Sequence, residues 1–295
     1  MKRSWWIAIV SFITILCSAS AGGSASDGGQ VSWFPCEVRQ GDVVSVRVQA
    51  AAQITAVEGH FDKTPIYFYK DGVAAFSGIV GVDMAAQPGG HTLRIVTKGP
   101  GEKPVEQVFA MQVAAGGFEV QRLTLAPEMV DLQGEILERY QAERKRIGEI
   151  FNQVRPMRLW HEPFIQPVEG QITSTFGLRR VLNGQDRSQH NGVDIGAPMG
   201  AEVGACNKGI VVLAQELCLE GKTIIIDHGF GLYSLYMHLS ELRVKEGDTV
   251  GGGDGIGLVG ATGRVTGPHL HWGVKLLGAR VDPFALLRVV PPEGE

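Results

Sequence analysis

The chain has 295 residues, of which 44% are hydrophobic and 20% are charged, and its formal net charge is −4. This composition predicts one large or two modest folded domains and excludes disordered and fibrous proteins. The near balance of charges provides no basic surface for nucleic acid. The 40 glycines indicate many tight turns, as in a β-rich protein.

Residues 1–21 have the pattern of a secretory signal peptide. Two basic residues precede an apolar run from Trp5 to Leu16, and small residues follow at the cleavage spacing. No later run reaches the ~20 apolar residues of a spanning helix, so no transmembrane segment is expected in the mature chain. The acidic mature chain has no attraction to anionic cell-wall polymers, and this favours the periplasm of a Gram-negative bacterium. A lipid anchor on Cys17 is disfavoured, because a lipobox requires a small residue where Leu16 stands.

Residues 22–118 predict a β-sandwich of immunoglobulin-like architecture, because short β-branched and aromatic runs alternate with turn signals. This segment holds no cluster of catalytic residue types. Residues 119–160 predict a helical connector, in which Asp131 caps an amphipathic helix that runs to Phe151. One face of that helix needs a partner surface, and the C-terminal sheet is the nearest candidate.

Residues 161–295 predict an antiparallel sheet or a partly open barrel. Apolar runs are separated by glycine turns, and Val244–Val250 is typical of a strand-turn-strand element. Cys206 and Cys218 are close enough in sequence to bridge a hairpin, but two unpaired cysteines explain the sequence equally well.

His190 and Asp194 are the first candidate ligands. Gly192, Gly196 and Pro198 argue against a helix here. In an extended strand, residues i and i+4 share a face. Gly192 lies between them on that face and is expected to leave room for an ion. Taken alone, this spacing is a weak signal.

His269 and His271 stand on one side of a predicted strand, and His238 ends another apolar strand. Two histidines in an apolar strand are costly unless they bind something. With His190 and Asp194, one of this pair completes a ligand set of two histidines and one aspartate. Such a set suits zinc with a fourth position left to water, which is the catalytic type of zinc site. Spacing does not decide which of the pair binds the metal.

Four motifs in order resemble those of the lysostaphin-type, or LytM-like, zinc metalloendopeptidases that cut peptidoglycan cross-bridges. The resemblance covers about residues 165–287. The motifs are Thr173-Ser174-Thr175-Phe176-Gly177-Leu178-Arg179, His190-Asn191-Gly192-Val193-Asp194-Ile195-Gly196-Ala197-Pro198, Tyr236-Met237-His238-Leu239-Ser240 and Gly263-Arg264-Val265-Thr266-Gly267-Pro268-His269-Leu270-His271.

The resemblance implies a role for each motif residue. It makes His190, Asp194 and His271 the ligands of one zinc ion per chain. It makes His269 the general base, and His238 the group that stabilises the oxyanion or protonates the leaving amine. The implied partner is the peptide cross-bridge of peptidoglycan, and the bond that is cut stays open.

Two other functions compete with this one. A cell-wall-binding or hydrolase-activating protein uses the same fold without catalysis, but the retention of all five motif residues counts against it. A biotinyl or lipoyl carrier is suggested by Val244–Val250, yet no lysine at a tight turn between paired strands is evident. The oligomeric state stays open, with a monomer as the working expectation. A fragment starting near His161 is expected to fold and to bind zinc.

Overall fold

The computed structural model describes residues 17–18, 28–49, 53–123, 133–182, 185–186 and 189–289. These residues are mainly β, which confirms the predicted fold class. The predicted signal peptide, apart from Cys17–Ser18, and the predicted helix cap Asp131 lie outside them. In the part of the chain that is described, no helix is long and apolar enough to cross a membrane.

Two five-stranded sheets form the N-terminal half and enclose one core. The first sheet has the spatial order β1 (Cys17–Ser18), β2 (Gln30–Phe34), β4 (Val43–Gln49), β8 (Ala75–Gly81) and β7 (Phe68–Lys70). The second has the order β3 (Val38–Arg39), β10 (Val105–Ala114), β9 (Gly89–Lys98), β5 (Ala56–Phe61) and β6 (Thr64–Ile66).

Alternation along the strands explains this packing. In β4, Val46 and Val48 are buried, whereas Arg47 and Gln49 are exposed. The buried valines join Leu93 of the second sheet in one apolar cluster. The two sheets therefore pack face to face, because each has an apolar side to bury. The immunoglobulin-like connection of the strands stays a prediction.

An eight-stranded antiparallel sheet forms the C-terminal half. Its order is β12 (Gln171–Ser174), β15 (Gly192–Gly196), β23 (Leu270–Leu276), β19 (Leu232–Leu239), β18 (Gly221–Gly229), β17 (Gly209–Leu217) and β21 (Thr249–Val250), with β24 (Ala279–Val281) beside β23. This sheet curls into the partly open barrel that the sequence predicts.

Smaller elements complete the fold. One three-stranded sheet contains β11 (Val120–Leu123), β13 (Arg179–Leu182) and β14 (Gln185–Asp186). Another contains β16 (Glu202–Gly204), β22 (Gly255–Leu258) and β20 (Glu241–Leu242). The helices are α1 (Gly134–Phe151) and α2 (Pro283–Leu286).

Helix α1 covers one face of the large sheet. Ile147 is buried against Ile225, Leu235 and their neighbours on β17 to β19. The Tyr233 hydroxyl donates a hydrogen bond of 3.0 Å to the Ile150 carbonyl. The expectation that the C-terminal sheet partners the helix is confirmed. Strand β18 is apolar on both faces, because one face packs under α1 and the other packs into the main core.

The two halves of the chain share part of their core. Met84 of the sandwich is buried in the same apolar cluster as Trp272 of β23. Asp83 receives hydrogen bonds from the backbone N–H of Arg280 at 2.8 Å and from its guanidinium at 2.7 and 3.1 Å. Burial raises the pKa of Asp83, but the bonds from Arg280 outweigh it and hold that pKa below its usual value.

The connector is also part of the C-terminal core. Trp160 is only 1% exposed and packs with Phe164 and Phe230. A fragment starting at His161 would lose Trp160 and would expose the sheet face under α1. We therefore expect such a fragment to fold when it begins before α1, and not when it begins at His161.

One detail of a predicted hairpin is corrected. In Val244–Val250 only β21 is a strand, because the Asp248 carboxylate accepts from the Lys245 N–H at 2.9 Å and closes a local turn. His228 lies inside β18, and the turn follows at Phe230-Gly231, where both residues have positive φ.

Both ring nitrogens of His228 are occupied by hydrogen bonds. Its Nδ1–H donates to the Lys208 carbonyl at 2.8 Å, and its Nε2 accepts from the Ser234 hydroxyl at 2.7 Å. Complete burial lowers the pKa of His228 to about 4. Cys206 lies 3.7 Å from the same Nε2 and is not bonded to Cys218.

The packing of α1 can be tested with two substitutions on the same helix. Ile147→Ala should lower the free energy of unfolding by about 2–3 kcal/mol, because it removes buried methyl groups and leaves a cavity. Ile136→Ala is the control, since Ile136 is 56% exposed, and it should change stability by less than about 0.5 kcal/mol. Denaturant unfolding measures both. Equal effects would contradict the docking of α1 on the sheet.

Candidate metal centre

Three side chains with metal-ligating atoms meet on one face of the eight-stranded sheet. Asp194 of β15 lies directly opposite His271 of β23 in the antiparallel register. His190 Nε2 lies 2.9 Å from Asp194 Oδ1 and 3.0 Å from His271 Nδ1. His271 Nδ1 is 2.9 Å from the same carboxylate oxygen. Two imidazole nitrogens and one carboxylate oxygen thus converge and can hold a metal ion.

A backbone carbonyl orients the His190 ring. Its Nδ1–H donates to the Thr175 carbonyl at 2.8 Å, with the Ser174 hydroxyl at 3.2 Å from the same nitrogen. This bond assigns the ring proton to Nδ1 and leaves the Nε2 lone pair for a ligand. The turn after β12 therefore selects the tautomer that can bind a metal ion.

The two further histidines of the motifs lie beside these ligands. His269 Nε2 is 3.8 Å from Asp194 Oδ1, and the His238 and His269 rings are 5.0 Å apart. The Nδ1–H of His238 donates to the Thr262 carbonyl at 3.0 Å. That of His269 donates to the Gly267 carbonyl at 2.9 Å. Each ring therefore keeps Nε2 available for proton transfer or hydrogen bonding.

His238 has an unusual backbone conformation, with φ of 66°. Non-glycine residues seldom adopt this left-handed region, and such residues concentrate at functional sites. The His238 N–H donates to the Glu220 carbonyl at 3.0 Å, where the β18–β19 register shifts. The irregularity turns His238 toward the site at the end of β19.

Burial and charge set the protonation of the centre. Burial raises the pKa of Asp194, but hydrogen bonds and charge from His190 and His271 outweigh it and hold that pKa far below its usual value. Burial lowers the pKa of His271. Burial, and next the charge of His271, lower the pKa of His238 to about 4. The centre thus presents an anionic Asp194 carboxylate beside the neutral imidazoles of His271 and His238 at neutral pH, which is the state that binds a cation.

Gly192 has a different role from the predicted one. A Cβ atom on Gly192 would lie 2.4 Å from the Trp272 carbonyl oxygen and 2.7 Å from His271 Nε2. The missing side chain therefore makes room for the His271 ring and for close pairing of β15 with β23. The expectation that Gly192 leaves room for the ion itself is wrong.

All five residues singled out in the sequence are thus brought together. The three carbonyls that orient the histidines, those of Thr175, Thr262 and Gly267, were missed. A backbone acceptor carries no side-chain signal, so only the fold shows it. The glycine in Gly267-Pro268-His269 was the one available hint of a tight turn before His269.

Comparison with known proteins places this site in a family. Residues 188–283 match the family model Peptidase family M23. The peptidoglycan DD-endopeptidase ShyA of Vibrio cholerae is 40% identical over 119 residues, which are 39% of this chain and 28% of ShyA. The DD-carboxypeptidase/endopeptidase Mpg of Neisseria meningitidis is 38% identical over 128 residues, which are 43% of this chain and 30% of Mpg. This chain thus spans less than a third of either relative.

A solved structure resembles the chain over both halves. A crystal structure assigned to peptidase M23 from Pseudomonas aeruginosa is 26% identical to this chain, with a TM-score of 0.64. The likeness covers 84% of this chain and 94% of that one. A likeness over this share of the chain is not confined to either half. The resemblance predicted from the four sequence motifs is confirmed, since residues 188–283 match peptidase family M23.

Proposed function

We propose that this chain is a zinc-dependent endopeptidase that hydrolyses the peptide cross-links of peptidoglycan. The relatives ShyA and Mpg carry names of enzymes with endopeptidase activity, and the matched segment contains the whole candidate site. One observation carries the proposal: three ligating atoms converge within 3.0 Å of one another, with two more imidazoles beside them.

The donor set fits zinc. Two neutral imidazole nitrogens and one carboxylate oxygen are the ligands that catalytic zinc sites use, and they leave a position open. When bound, zinc supplies Lewis acidity that activates water and polarises the scissile carbonyl. His190, Asp194 and His271 would hold the ion. Asp194 is buried between the two rings, where its carboxylate would supply the negative charge of the ligand set.

The remaining two histidines would move protons. His269 Nε2, near Asp194, is placed to accept the proton of the attacking water, since its Nδ1 is already committed to a carbonyl. His238 is placed to donate from Nε2 to the developing oxyanion, or to the leaving amine. Because its Nδ1–H is committed to the Thr262 carbonyl, His238 donates from Nε2 only after that nitrogen has taken up a proton in the reaction.

We also propose that the enzyme is exported and acts in a periplasm. Peptidoglycan lies outside the cytoplasmic membrane, and the signal-peptide pattern of residues 1–21 supports export to that side. Fractionation of cells that express the full chain tests this. Recovery of the uncleaved chain in the cytoplasm would contradict it.

Digestion of purified peptidoglycan tests the activity itself. The zinc-loaded protein should release fragments whose new peptide ends mass spectrometry identifies, and a chelator should abolish the release. Restored cleavage after zinc is added back completes the test. A protein that holds stoichiometric zinc but releases no fragment would instead favour the cell-wall-binding or hydrolase-activating alternative.

Two histidine substitutions separate a ligand from a base. His271→Ala should lose the zinc, because it removes a ligating nitrogen, whereas His269→Ala should keep about one zinc per chain. Both should lower peptidoglycan hydrolysis by at least about 100-fold. Metal content by mass spectrometry and fragment release are the measurements. Zinc retained in the His271 variant and lost in the His269 variant would reverse the assignment.

Gly192→Ala tests the support behind the His271 ring. The added methyl would collide with that ring and with the Trp272 carbonyl, so zinc affinity should fall by about 10- to 100-fold. Gly273→Ala is the matched control for zinc binding, because a Cβ atom there meets no atom closer than 3.6 Å. Competition with a zinc-binding dye measures both affinities. Equal affinities would show that Gly192 does not position His271.

A further inference from the structure

A groove leads away from the metal centre along β23. It begins at His238 and His271 and continues under α1, over Gly273, to Lys275 and Arg280. Its volume is about 180 Å³. On β23, residues 271, 273 and 275 point to the same face, because side chains alternate along a strand. Gly273 lies between His271 and Lys275 on this face and has no side chain to block the groove. The groove is therefore continuous with the metal centre.

The far end of this groove carries excess positive charge. Arg144 of α1, Lys275 and Arg280 line it together. Asp83 neutralises Arg280. Neither Arg144 nor Lys275 forms an ion pair with any residue that the structure describes. The acidic residue Glu220 also lines the groove, but on the side of His238. Two uncompensated cations therefore share the end of a groove that starts at the metal centre.

The Lys275 ammonium is held in place rather than left in solvent. It lies 4.4 Å above the Phe151 ring, which is the last residue of α1. Burial, and next the charges of Arg144 and Arg280, lower its pKa. A group whose charged form is penalised by burial and by like charges gains most from an anionic partner.

We propose that this groove is a substrate subsite in which Lys275 and Arg144 bind a free carboxylate of the peptide being cleaved. The inference rests on the proposed peptidase function and specifies its substrate as an acidic peptide. His271 and Lys275 are four residues apart on one strand, about 13 Å. An extended peptide lying along β23 would thus place that carboxylate about three or four residues from the scissile bond.

Charge variants and chemically amidated substrate test the subsite. Cross-linked muropeptides from purified peptidoglycan serve as the acidic probe, and the same muropeptides with amidated carboxyl groups serve as the neutral one. Lys275→Gln and Arg144→Gln should each raise KM for the acidic probe by about three- to tenfold, with kcat and zinc content unchanged. Lys275→Arg should restore KM. On the neutral probe, variants and unaltered enzyme should have the same KM.

Arg146→Gln is the matched control. Arg146 lies on the same helix and carries the same charge, but it pairs with Glu246 and Gln215 away from the groove. Its variant should leave KM for the acidic probe unchanged. An equal rise of KM in all three Gln variants, or an equal rise on both probes, would overturn the subsite.

Calorimetric binding of the same muropeptides separates this inference from the proposed activity. If the unaltered chain cleaves neither probe, the proposed function fails. The subsite still predicts that the acidic probe binds more tightly than the amidated one, and that Lys275→Gln removes the difference. Equal binding of both probes would refute the subsite even in an active enzyme.

Discussion

The pairing of β15 with β23 is the constraint on which the site depends. Antiparallel register sets Asp194 directly across from His271, and no loop intervenes between these two ligands. Side chains opposite each other in such a pair lie about 5 Å apart at Cβ, which is the spacing that two ligands of one ion require. Gly192 allows this register, since a Cβ there would collide with β23. Paired strands thus fix two candidate ligands, and the segment before β15 adds His190 as the third.

Helix α1 explains why only part of the sheet face is open. Met237 pairs with His271, and Leu235 pairs with Gly273, so the helix and the metal centre occupy the same face. This face of the sheet is apolar where α1 covers it and polar beyond the helix. The groove forms at this boundary, with the helix as one wall. The same hydrophobic contact that stabilises α1 therefore shapes access to the centre along β23.

Sequence reasoning predicted the β architecture and the five histidine and aspartate residues of the site, because strand periodicity and motif spacing are local properties. Spacing alone did not separate His269 from His271, whereas the register does: His271 is opposite Asp194, and His269 precedes the strand. The orienting carbonyls and the fit of Gly192 against His271 depend on contacts between distant segments. The packing of Trp160 in the C-terminal core escaped prediction for the same reason.

Among the described residues, the N-terminal half contributes no candidate ligand, yet it contacts the strands of the candidate site through β24. Arg280 of β24 is bound by Asp83 of the sandwich, and β24 pairs with β23 next to Lys275. The shared core around Met84 and Trp272 reinforces this link, since Trp272 immediately follows His271. Displacing the sandwich would therefore loosen the strand that carries the candidate ligand His271 and would remove the Asp83 partner of Arg280. We therefore expect the sandwich to influence the candidate site through the position of β23 rather than through a side chain at that site.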